Sequence, residues 1–109
     1  MDGANARITA EVTSWPGIEV MTGSRGEWSF RLGKREIGHL HGDRVAHFGF
    51  PRAQWADLMA AGRITQHPVM HDGWGARDIT GEDDLRDVVA LLRLNYDRAV
   101  ERHGVPEAA

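Results

Sequence analysis

Two histidines separated by one residue, His39 and His41, lie in the strand-like run Arg35-Glu36-Ile37-Gly38-His39-Leu40-His41, and Gly42-Asp43 follows as a turn signal. Successive side chains of an extended strand point to opposite faces, so these two imidazoles share one. His47, His67 and His71 follow, which puts five imidazoles between positions 39 and 71. Imidazoles at that density can ligate a metal, move protons or make polar contacts in a ligand groove. Glu36 adds a carboxylate beside them, and Trp74 sits between two glycines where it could line a pocket. The candidate ligand-binding surface is therefore Glu36, His39, His41, His47, His67, His71 and Trp74. The plainer alternative is packing. An imidazole has an apolar body and two polar nitrogens that can bridge backbone groups at a sheet edge. Trp74 likewise reads first as core.

Metal binding needs three or four ligands converging at about 2.0–2.2 Å on one ion. One strand offers His39 and His41, and hairpin register decides whether His47 can join them. A two-residue Gly42-Asp43 loop pairs His41 with Arg44, His39 with Ala46 and Ile37 with Phe48. It turns His47 away, opposite Gly38. A three-residue loop instead pairs His39 with His47 and builds a three-histidine face. The apolar pairing of Ile37 with Phe48 favours the two-residue loop. On that register no metal and no other cofactor is expected. If an ion were held, His39 and His41 would need His67 or His71 to reach across. These two are at i, i+4, but Pro68 stands between them, and no His-Glu-x-x-His helix is present.

Other chemistries are thin. The chain has no cysteine, which excludes disulfides, thiolate metal sites and cysteine nucleophiles. Ser14, Ser24 and Ser29 lack a nucleophile-elbow context. Glu36 could serve as a general base and otherwise reads as a solvated strand carboxylate. Glu82-Asp83-Asp84 reads as an acidic first helical turn rather than a cation site. The glycines form neither a P-loop nor a GxGxxG turn.

The elements that position these residues follow from periodicity. Ile8, Val12 and Trp15 mark a helical stripe that Pro16-Gly17 ends. Ile18–Thr22 reads as a strand. In 27–32, Trp28, Phe30 and Leu32 alternate with Glu27, Ser29 and Arg31, which predicts a strand with the first set facing the core and the second more exposed. Arg35–His41 and Arg44–Phe50 continue an antiparallel meander. Pro51 suits the first turn of a helix carrying Trp55, Leu58 and Met59, with Gly62 beyond its end. Residues 64–70 are ambiguous. Trp74–Ile79 adds a strand, and Thr80 with Asp83 resembles a capping box. Leu85, Val88, Val89, Leu92, Tyr96 and Val100 then predict a helix over 83–102, stopped by Gly104 and Pro106.

The chain of 109 residues is long enough for one domain with its own core. Residues 6–104 are expected to form it, with 1–5 and 105–109 as flexible ends. The fold class is α+β: a mainly antiparallel, twisted sheet packed by helices. The net charge of −3 with interleaved signs argues against a nucleic-acid partner, which calls for a basic surface. No apolar leader or membrane-length run is present, so a cytoplasmic location and no membrane partner are expected.

Several segments together resemble a known family. They are Glu36-Ile37-Gly38-His39-Leu40-His41-Gly42-Asp43, Phe50-Pro51, Gly62-Arg63 with His67, Gly73-Trp74, and Leu91-Leu92-Arg93-Leu94-Asn95-Tyr96. The chain resembles small bacterial and fungal proteins of unknown function labelled luciferase domain, over roughly residues 15 to 100. The His39/His41 segment is the most specific part, and Asn95 is a mild departure from a serine. The second half is also faintly similar to the MmcQ/YjbR family, which implies a YjbR/CyaY-like fold. Neither resemblance carries catalytic residues over. The expected function is a binding or interaction domain for a small molecule or protein, with the histidine-rich surface as its site. A metal-dependent or histidine-based enzyme and a nucleic-acid-binding module are the alternatives.

Overall fold

The alternating apolar residues of 28–50 form the centre of a six-stranded antiparallel sheet in the computed structural model, which describes residues 1–107. In chain order the elements are α1 (Ala4–Val12), β1 (Ile18–Thr22), β2 (Trp28–Leu32), β3 (Arg35–His41), β4 (Val45–Gly49), α2 (Arg52–Ala60), β5 (Thr65–Gln66), β6 (Trp74–Asp78) and α3 (Glu82–His103). The strands lie in the order β1-β2-β3-β4-β6-β5. The fold is α+β, as the element order implies. Of the C-terminal stretch expected to be flexible, residues 108 and 109 lie outside the described residues.

One apolar cluster joins sheet and helices. Phe30, Leu32, Ile37, Leu40, Ala46 and Phe48 come from the strands. Ile8 and Val12 come from α1, Leu58 from α2, and Leu85, Val88, Leu91, Leu92 and Tyr96 from α3. All three helices pack on the same face of the sheet, which leaves the other face for polar side chains.

Local readings needed correction at four points. Ser29, expected to be exposed, is 3% exposed because its hydroxyl donates to Glu36 Oε1 at 2.6 Å. Helix α1 opens at Ala4, fully buried, inside the stretch expected to be loose. No side chain caps α3 at Gly81, and Thr80 pairs with Asp84, not Asp83: Asp84 accepts from the Thr80 amide at 2.9 Å and its hydroxyl at 2.6 Å. The carboxylates of that turn are engaged with arginines, Glu82 with Arg7, Asp83 with Arg86 and Asp84 with Arg77.

The fourth correction is the hairpin register, and it bears on the site. His39 pairs with His47, Leu40 with Ala46 and His41 with Val45, so the β3–β4 loop is Gly42-Asp43-Arg44. The physical reason lies in α1. The first amides of a helix have no partner within it. The Asp43 carboxylate accepts from the Asn5 amide at 2.8 Å and the Gly3 amide at 3.4 Å, and Asn5 Nδ2 donates to the Gly42 carbonyl. The cap for α1 is thus supplied by a distant loop, and it holds that loop in the longer form. Asp43→Ala should cost about 1 kcal/mol in urea denaturation, the usual effect of losing a cap. A change below about 0.3 kcal/mol would mean the carboxylate does not hold the loop.

A second irregularity removes the apolar argument for the shorter loop. Between β2 and β3 the pairing passes from Phe30–Gly38 to Arg31–Glu36, leaving Ile37 unmatched. This bulge lets Ile37 reach the core without pairing with Phe48. It also brings Glu36 and His39 to one face, where strict alternation would separate them. Gly38 has a φ of +156°, and a Cβ there would lie 2.5 Å from Leu92 Cδ2 and 3.1 Å from the His47 carbonyl oxygen. The glycine is needed for α3 to press onto the sheet beneath the histidines.

Candidate functional site

The helix-free face of the sheet gathers His39 and His41 from β3, His47 from β4, and His67 from the segment after β5. His39 and His47 are cross-strand partners, and His41 follows two residues on, so all three share a face. Their neighbours across β6 and β5 are small: Ala76 pairs with His47, and Thr65 pairs with Ala76. A cleft of about 1440 Å³ opens there, lined by the four imidazoles, Glu36 and Trp74 among others.

The rings are in contact. His39 Nε2 lies 3.2 Å from His47 Nδ1. Ring centroids are 5.0 Å apart for His39–His41, 4.8 Å for His41–His47 and 4.1 Å for His47–His67. One ligand nitrogen from each of His39, His41 and His47 falls within 4.8 Å of the others. Behind His39, Glu36 Oε1 stands 3.3 Å from Nδ1, at an angle short of a good hydrogen bond. The carboxylate is fixed in turn by the Ser29 hydroxyl.

His67 has a defined tautomer. Its Nδ1 accepts from the amides of Val69 at 3.1 Å and Met70 at 3.0 Å. A nitrogen that accepts two amide protons carries none itself, so the neutral ring holds its proton on Nε2. His67 is therefore a donor and not a ligand in this arrangement.

Burial and mutual repulsion disfavour charge on His41, His47 and His67. Burial lowers the pKa of His47, reinforced by His67, His39 and His41, to about 4. His41 and His67 are lowered for the same reasons, burial first and neighbouring imidazoles second. Burial alone would raise Glu36, but the adjacent His39 ring and the hydrogen bond from the Ser29 hydroxyl outweigh it and hold the carboxyl below its ordinary value. At neutral pH the site presents the neutral imidazoles of His41, His47 and His67 beside one carboxylate. Such a set can ligate a soft or borderline cation, accept or donate hydrogen bonds, or pass a proton.

Of the residues singled out by type and spacing, Glu36, His39, His41, His47, His67 and Trp74 line the cleft. Trp74 is half-buried and stands as its wall rather than in the core cluster. His71 does not join them. It is exposed and lies with Arg52 and Asp72 at a separate small depression. Two supporting residues escaped the sequence reading. Ser29 was legible only as the polar partner of an alternating strand. Asn95 interrupts the apolar stripe of α3: buried, it donates to the Ile37 carbonyl at 3.0 Å and the Gly49 carbonyl at 2.9 Å. It thus ties β3 to the end of β4 behind the histidines.

No helix is long and apolar enough to cross a membrane among the described residues. Comparison with curated proteins and with solved structures finds no match to this chain. The YjbR/CyaY-like resemblance has no counterpart in these findings. A family model described as Luciferase domain matches residues 34–95. That span runs from the start of β3 to Asn95 and contains every imidazole of the cleft together with Glu36 and Trp74. The chain belongs to the luciferase-domain family.

Proposed function

We propose that this protein is a small-molecule-binding domain, with the cleft on the helix-free face of the sheet as its site. The observation that carries the reading is the convergence of four imidazoles and Trp74 in one cleft, while the opposite sheet face is closed by helices. Ligand sites are concave, largely apolar, and supplied with a few well-placed polar groups. Here Trp74 and the exposed Val69 and Met70 supply apolar contact at the margin, and the histidines supply polar contact on the floor. That combination suits a planar aromatic molecule carrying hydroxyl or carboxylate groups. Titration with phenols and aromatic acids, followed by amide NMR, should move resonances of β3, β4 and β6. Trp74→Ala should weaken the best of these at least about fivefold, the loss of roughly 1 kcal/mol of stacking. Shifts clustered on another surface, or none at millimolar ligand, would end this reading.

An enzymatic reading is favoured by one observation. Ser29, Glu36, His39 and His47 stand in line, each within 3.3 Å of the next, which is an arrangement able to relay a proton. Consumption of a bound molecule by the wild type, but not by Glu36→Gln, would assign the cleft to catalysis.

A further inference from the structure

We propose that His39, His41 and His47 form a binding site for a zinc-class divalent cation, with its fourth coordination position open to the cleft. The inference deepens the reading of the cleft as the binding site and rests on it. Its ground is geometric. In a tetrahedral site with metal–nitrogen bonds of about 2.0–2.1 Å, ligand nitrogens stand roughly 3.3–3.4 Å apart. His39 Nε2 and His47 Nδ1 are 3.2 Å apart, already at that spacing. The three ligand nitrogens lie within 4.8 Å of one another, so side-chain shifts of roughly an ångström bring them onto one ion at bonding distance.

The surroundings fit the same use. A metal-bound imidazole ordinarily turns its other nitrogen to a carboxylate, which fixes the tautomer and raises ligand basicity. Glu36 Oε1 occupies that position behind His39, and Ser29 orients it. Nδ1 of His39 is buried with no well-formed partner, as a ring waiting to be turned would be. His67 cannot be the fourth ligand, because its Nδ1 is committed to two amides and its proton sits on Nε2. It instead offers a donor beside the open position, where a water or the oxygen of a bound molecule would sit. An all-imidazole set selects zinc, cobalt, nickel or copper over magnesium and calcium, which prefer oxygen.

The test uses untagged, chelator-treated protein titrated with Zn²⁺ and Co²⁺ in the absence of any organic ligand. One ion per chain is expected, with the intense visible absorption of four- or five-coordinate cobalt. Imidazole nitrogen resonances of three histidines should shift on zinc addition in the wild type, a readout that needs no variant to fold. His41→Ala should weaken binding more than about 100-fold and Glu36→Gln about 10–100-fold, the range for an outer partner. His71→Ala and His103→Ala should leave affinity within about twofold. Flat titrations, octahedral cobalt spectra, or binding that survives His41→Ala and is lost in His71→Ala would each overturn the site. Aromatic ligands that still shift the cleft amides while metal titrations stay flat overturn this inference alone. Loss of both overturns the cleft reading as well.

Discussion

Leu92→Ala is expected to cost about 2–5 kcal/mol of stability, the range for truncating a fully buried leucine. Leu92 is 0% exposed in the middle of α3, and its Cδ2 occupies the space a Cβ at Gly38 would need. Truncation therefore removes apolar contact and opens a cavity at the closest approach of helix and sheet. The histidines stand on the other face of the sheet, on Gly38's own strand β3 and its neighbour β4. Equilibrium urea denaturation measures the cost. A loss below about 0.5 kcal/mol would show that the α3 stripe is not the core face. The neighbouring glycine gives an independent check. Gly38→Ala should itself destabilise by about 1–3 kcal/mol through overpacking, and less in a Leu92→Ala background, where the clashing methyl is gone.

Stability should also fall steeply between pH about 6.5 and about 4, with His47 as the main contributor. A histidine whose pKa is lower in the folded chain than in the unfolded one binds protons preferentially on unfolding. Its contribution is fully present above the unfolded value of 6.5 and is lost as pH falls through that value toward about 4. For His47, 7% exposed, the amount at stake is of order 2–3 kcal/mol. The groups that face it are His39 and His41 from β3 and His67 from the loop, which lower its pKa, and Glu36, which raises it. His41 and His67 are shifted the same way and steepen the fall. The carboxylates act lower on the scale. Asp84, held at about 2 by the Thr80 hydroxyl and amide and by Arg77, loses its contribution only as pH drops from its ordinary 3.8. Denaturation midpoints of chelator-treated protein across pH 4–7 should therefore rise with pH, and His47→Gln should flatten the curve. A midpoint that is level or falls with rising pH in this window would mean the imidazoles are not buried together.

Much of this architecture was legible in the residue pattern because its causes are local. Trp28, Phe30 and Leu32 alternate with polar residues, and a period of two has one extended solution with a buried face. The stripe from Leu85 to Val100 recurs at helical spacing, and Gly104 and Pro106 stop it. Candidate site residues were legible too, since five imidazoles, a carboxylate and a tryptophan were visible as types before their positions in space were known.

The arrangement of those residues was decided elsewhere in the fold. Nothing near Gly42-Asp43 specifies a three-residue loop; the Asp43 carboxylate is drawn to the amides of a helix some forty positions away, and pairing His39 with His47 follows from that capture. Nothing in Glu36-Ile37-Gly38-His39 announces a bulge; it forms where Leu92 and Phe48 crowd Gly38 and Asn95 takes the Ile37 carbonyl, and it turns Glu36 toward His39. Residue type and periodicity act within a strand or a turn of helix, and so determined the elements, the core face and the chemistry on offer. Register is a choice between pairings of similar local energy, and only contacts between elements distant in sequence could decide that His47 joins His39 and His41 while His71 stays apart.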